Sequence, residues 1–96
     1  MKAWHTYLIC CCDGALYVGI TVDVQRRFKE HCGGYGSTFV KNHGVDHLVA
    51  SRNVGGYTEA RKLEKRLKAM TRARKIMYFH PAPYVGLLPP APAGID

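Results

Sequence analysis

No run of about 18 apolar residues, the length a helix needs to cross a bilayer, occurs anywhere in this sequence. Its start, Met1-Lys2-Ala3-Trp4-His5-Thr6-Tyr7, has neither the apolar stretch nor the small-residue cleavage site of a secretory leader. A membrane protein is therefore not expected, and an intracellular setting is, in the cytoplasm or at the nucleoid. Internal repeats are absent too, and 96 residues leave room for one core. Paired cysteines are lacking: Cys10, Cys11 and Cys12 are consecutive and Cys32 stands alone, so no two thiols have the spacing that lets both reach one zinc ion. They read as small apolar strand residues. Proline is missing until the last stretch, where all five fall. Residues 1–79 therefore read as the folded domain and 80–96 as an extended, Pro-rich tail.

Acidic residues are scarce. Seven Asp and Glu face fourteen Lys and Arg, which gives a net charge of +7. The excess is concentrated. Between Tyr57 and Lys75 there are eight basic residues and only two acids, Glu59 and Glu64. A dense cationic segment of this kind fits a polyanionic partner better than it fits solubility alone.

The apolar pattern supplies the elements. Residues 4–11 and 15–20 are β-prone and flank Cys12-Asp13-Gly14. A three-residue loop with Gly14 in the left-handed position pairs Cys11 with Ala15. That register puts Leu8, Cys10, Leu16, Val18 and Ile20 on one face, and His5, Tyr7, Ile9, Ala15, Tyr17 and Gly19 on the other. A helix is expected next, capped by Thr21, carrying Val24 and Phe28 inward and ending at Gly33-Gly34. Arg27 and His31 are four apart and project together, while Arg26, Lys29 and Glu30 face solvent. Thr38 to Lys41 suggests one short helical turn, and 46–52 a third strand. Thr58 is expected to cap an amphipathic helix with Ala60, Leu63, Leu67 and Met70 buried, and Thr71 a last helix reaching about Phe79.

With these elements in place, a resemblance becomes specific. Thr6-Tyr7-Leu8, followed ten residues on by Tyr17-Val18-Gly19, resembles the paired tripeptides of the GIY-YIG nucleases. The first tripeptide keeps its tyrosine, with Thr6 and Leu8 in place of glycine and isoleucine. Arg27 stands ten residues beyond Tyr17, where the family carries an arginine. Ala60-Arg61-Lys62-Leu63-Glu64-Lys65-Arg66-Leu67-Lys68 is similar to the family's glutamate helix. The likeness covers about residues 3–76 and is closest to the compact, single-domain members. It implies an α/β fold with a small three-stranded, largely antiparallel sheet flanked by helices. It also implies a metal-dependent endonuclease, with family roles in repair and mobile-element processing.

Hydrolysis of a phosphodiester needs an activated water, neutralised phosphate charge and help for the leaving oxygen. Under the resemblance Glu64 is the ligand of one Mg²⁺ or Mn²⁺ ion, hard cations that fill their shell with carboxylate, water and phosphate. Arg27 can grip two phosphate oxygens at once. Tyr7 is the candidate for positioning or deprotonating the water, and Tyr17 for orienting water or phosphate. His31 could accept the proton of Tyr7 or bind a flanking phosphate. Arg26, Lys62, Lys65, Arg66, Lys68 and Arg72 are the expected nucleic-acid contacts, and Gly14 and Gly19 the structural glycines. The expected partner is DNA, with RNA open beside it. Without a second domain to read sequence, specificity is expected to be low or directed by structure. Two alternatives stand beside this reading: a binding module with weak catalysis, and a nuclease subunit targeted by a partner protein.

Overall fold

The computed structural model describes residues 2–80. Apart from His80, the expected Pro-rich tail lies outside the described residues. The chain runs β1 (Trp4–Cys11), β2 (Leu16–Thr21), α1 (Val24–Cys32), α2 (Thr38–His43), β3 (Val45–Gly55), α3 (Tyr57–Lys68) and α4 (Arg72–Phe79). The strands form one sheet in the order β2-β1-β3, and both pairings are antiparallel. The expected α/β fold is therefore the one observed.

The hairpin closes by the three-residue loop. Cys11 N–H donates to Ala15 O at 2.8 Å, Gly14 N–H donates to Cys11 O at 2.9 Å, and Gly14 takes φ 87°. With the register fixed, Tyr7 lies opposite Gly19 and Ile9 opposite Tyr17. Because the side-chain period of a strand is two, each face then carries a constant set of residues. Leu8, Cys10, Leu16 and Val18 pack against Leu63 and Leu67 of α3 and Ile76 and Phe79 of α4. Tyr7, Ile9, Cys11 and Ala15 pack against Val24 and Phe28 of α1 with Val45 and Leu48 of β3. Helices thus cover both faces, and the tyrosine-bearing face is a second core as well as a site.

Several local expectations are corrected. Thr21 does not cap α1. Asp23 does, accepting from Arg26 N–H at 3.1 Å, while Thr21 Oγ1 accepts from Asp23 N–H at 3.1 Å and shapes the turn just before the cap. Nor does Thr58 cap α3. That helix starts at Tyr57, directly after Gly56, which offers no side-chain cap. Thr71 does cap α4, accepting from Arg74 N–H. Cys10 and Cys11 are buried strand residues, but Cys12 lies in the hairpin turn and Cys32 at the end of α1, and both are exposed. The short turn at Thr38 extends to a helix ending at His43, and the third strand runs longer than its apolar centre. Among the described residues, no helix is long and apolar enough to cross a membrane.

Candidate active site

The centre of the site is a buried phenol–imidazole pair. Tyr7 reaches it from the middle of β1 and His31 from the last turn of α1, each with 2% of its surface exposed. The Tyr7 hydroxyl lies 2.8 Å from His31 Nε2. Tyr17 completes an aromatic triangle, its ring centroid 6.3 Å from Tyr7 and 5.3 Å from His31. Two glycines make this packing possible. A Cβ at Gly19, opposite Tyr7 across the hairpin, would overlap the phenol oxygen, and one at Gly36 would overlap His31 Nδ1. Gly19 therefore serves the site by letting the Tyr7 ring lie over the neighbouring strand.

Burial sets the protonation of both groups. It pushes the Tyr7 phenol up to about 12; the neighbouring Tyr17 adds to the rise, Glu64 adds less, and the Arg27 guanidinium beside it pulls the other way. It holds His31 below the ordinary imidazole range, with the positive charge of Arg27 adding to the effect and Glu30 opposing it. At neutral pH the pair is thus phenol and neutral imidazole. Among the described residues, the buried His31 Nδ1 has no hydrogen-bond partner. Leaving a buried polar atom unpaired costs about 1–3 kcal/mol, so this ring is held by its surroundings against a local preference.

Arg27 is half-buried and paired to Glu30, Nη1 to Oε1 at 3.0 Å. Glu30 also accepts from Arg26 at 3.3 Å. The expectation that Glu30 merely faces solvent is corrected accordingly, since it lies half-buried between both arginines. Its i,i+3 spacing from Arg27 was the available signal. Glu30 engages Nη1 and the Tyr7 hydroxyl also lies against the guanidinium, so of its five donors the fork keeps others for an anion.

Glu64 comes from α3 on another side. Its side chain is 17% exposed and pairs with Lys68 Nζ at 3.4 Å. That ammonium sits 5.4 Å from the Tyr17 ring centroid, which links α3 to the aromatic triangle. Arg61, Lys62, Glu64, Lys65 and Lys68 line one open groove of about 410 Å³, so Glu64 is the lone acid in a cationic wall. Arg66 is exposed on the same helix, and Arg26 is exposed on α1. Arg72 is not in the groove. It donates to Gly14 O at 2.6 Å and ties α4 to the hairpin turn.

Phe39 of α2 was not singled out from the sequence. It stacks on Tyr17 with centroids 5.9 Å apart and rests on His43, and with Lys68 and Lys75 it borders a cavity of about 300 Å³ beside Tyr17. Gly36 gave no sign either, because the neighbour that requires it lies in α1 rather than beside it in sequence.

These features define a small α/β domain with a buried phenol–imidazole pair beside an arginine and a cationic groove. Comparison with known proteins makes the class specific. The GIY-YIG catalytic domain matches residues 3–77. A UPF0213 protein of Cronobacter sakazakii is 43% identical over 75 residues, covering 78% of this chain and 79% of that protein. A UPF0213 protein of Vibrio cholerae is 44% identical over 73 residues, covering 75% and 72%. The solution NMR structure of a UPF0213 protein from Bacillus halodurans is similar with a TM-score of 0.50 at 33% identity, covering 78% of this chain and 80% of that one. The chain belongs to the GIY-YIG family, among the small stand-alone UPF0213 proteins. It therefore carries a nuclease domain, and nucleic acid is the substrate class.

Proposed function

We propose that this protein is a Mg²⁺- or Mn²⁺-dependent endonuclease that hydrolyses DNA phosphodiester bonds, with low or structure-directed specificity. The observation that carries this reading is the 2.8 Å contact between the Tyr7 hydroxyl and His31 Nε2, buried beside Arg27. A phenol pushed up to about 12 holds almost no phenolate at neutral pH. A base standing ready as phenolate therefore does not fit, and a relay does. As the water oxygen attacks phosphorus, its proton moves to the Tyr7 oxygen and the Tyr7 proton moves to His31 Nε2. The neutral state of His31 is what such a relay requires. Arg27 offers its remaining donors to the phosphate oxygens, where charge builds as the bond to the leaving oxygen breaks; that oxygen keeps the bonding pair and takes a proton from solvent. Tyr17, at the rim, orients water or phosphate.

The donor set of Glu64 fits the ion the family implies: one hard carboxylate, partly exposed, at the mouth of a groove. When bound, such an ion supplies Lewis-acid neutralisation of phosphate charge. The competing Glu64–Lys68 pair is an i,i+4 contact of a kind worth about 0.2–0.5 kcal/mol, and its lysine end is half exposed, so Lys68 can yield and turn to a phosphate. Lys62, Lys65, Arg66 and Lys68 form the cationic track along α3, with Arg26 on the other flank. An intracellular setting in DNA repair suits an enzyme of this kind.

The test is direct. Supercoiled plasmid should be nicked by the purified protein with Mg²⁺ or Mn²⁺ and left intact with EDTA. Plasmid bound but uncut under every metal condition would make the protein a binding module, and preferential cleavage of RNA would move the substrate.

A further inference from the structure

A second cluster of donor atoms lies on the opposite face of the sheet from Tyr7. Cys10 of β1 pairs with His47 of β3, and the register skips Asp46 before Cys11 meets Val45. Asp46 is thus the extra residue of a β-bulge, where two residues on one strand oppose one on its partner. Along a regular strand, Asp46 and His47 would point to opposite faces. A bulge re-aims a side chain, and here it brings the two consecutive donors together. His47 Nδ1 and Asp46 Oδ2 are 2.8 Å apart. One ligand atom from each of Cys10, Asp46 and His47 falls within 4.8 Å of the other two.

From this geometry we propose a metal site at the β1–β3 bulge, in which Cys10, Asp46 and His47 bind Zn²⁺ or a similar borderline-soft divalent ion. The donors decide the class of ion. Thiolate and imidazole are ligands of zinc and its neighbours and poor ligands of Mg²⁺ or Ca²⁺. An ionised thiol and a carboxylate carry two negative charges, which a divalent ion neutralises. Three protein ligands leave a fourth tetrahedral position for water. Access is available, since the side chains of Asp46 and His47 are 55% and 46% exposed while Cys10 closes the inner side. Cysteine spacing excluded a site built on pairs of thiols. The bulge assembles a mixed set that no spacing rule describes.

The site is separate from the Tyr7–His31 pair. Cys10 is three residues from Tyr7 along β1, roughly 10 Å, and on the other face. A bound ion would pin the start of β3 to the centre of the sheet, so its measurable effect is on stability.

Titration of the reduced full-length protein with Co²⁺ tests the proposal. The readout is thiolate-to-cobalt charge-transfer absorption, to which an ion held by carboxylate alone is silent, with Zn²⁺ competing the signal away. The wild-type protein and the Cys12→Ser/Cys32→Ser double variant should both show the band. Cys10→Ser should abolish it. His47→Ala and Asp46→Ala, which alter exposed side chains and leave the core intact, should each weaken Zn²⁺ binding by more than about tenfold. Zn²⁺ should raise the melting temperature of the wild type and leave that of His47→Ala unmoved. A band that persists in Cys10→Ser, or that disappears in the Cys12/Cys32 variant, would overturn the site. So would wild-type Zn²⁺ affinity in His47→Ala.

Discussion

In the proposed relay the Tyr7–His31 pair sets the pH behaviour. His31 must be neutral to accept a proton, and burial with Arg27 holds its pKa below the usual 6.5. Cleavage should therefore be flat through neutrality and fall on an acid limb centred below 6.5. Stability follows the same sign: the folded-state pKa is depressed, so the contribution is present above the unfolded value and is lost as pH falls through the folded one. An initial-rate profile with a limb centred above 6.5 would contradict the assignment. Replacing the phenol oxygen tests the relay itself. Tyr7→Phe should retain the fold and DNA binding and lose cleavage by about 10²–10⁴-fold, the usual worth of a positioned acid–base group. Gly36→Ala works through its neighbour. Its new methyl displaces the imidazole, so cleavage should drop sharply at a stability cost of about 1–3 kcal/mol, read by urea unfolding.

Among the elements, α3 does two jobs with two faces. Leu63 and Leu67 point into the core, and Leu67 is fully buried, so Leu67→Ala should cost about 2–5 kcal/mol. Lys62, Lys65 and Arg66 are exposed. Reversing those three to Glu should leave the melting curve nearly unchanged and weaken DNA binding. Wild-type affinity should fall steeply between about 50 and 200 mM salt, as counterion release requires. An affinity indifferent to salt and to the reversals would remove α3 as the track. The same element scale shows what was legible in the sequence. The hairpin loop, Gly14, the two faces of the sheet and the Thr71 cap were readable because turn and cap chemistry acts within a few residues. Asp23 rather than Thr21 took the α1 cap because the two compete within one turn, and only the chain path decides between them. Gly36 against His31, Phe39 on Tyr17 and the bulge at Asp46 rest on contacts between segments or on a register break, which periodicity does not encode.

For the whole molecule, the meaning of the fold is convergence. Tyr7 comes from β1, Tyr17 from β2, Arg27 and His31 from α1, and Glu64 from α3. No two neighbouring elements suffice, so the site exists only when the hairpin, both helical layers and their register are in place. The cationic groove surrounds the carboxylate proposed to hold the ion. The central claim, that this assembled site cuts nucleic acid through an ion held by Glu64, is tested most directly by one comparison. Single-turnover cleavage of a labelled DNA and its binding are measured for the wild type and Glu64→Gln at the same Mg²⁺ concentration. The substitution removes a charge with little change of shape. Cleavage should fall by about three orders of magnitude or more, because the ion's several kcal/mol of transition-state stabilisation is lost. Binding should persist or tighten, since a negative charge near phosphate is gone. Wild-type cleavage by Glu64→Gln at low Mg²⁺ would contradict the account.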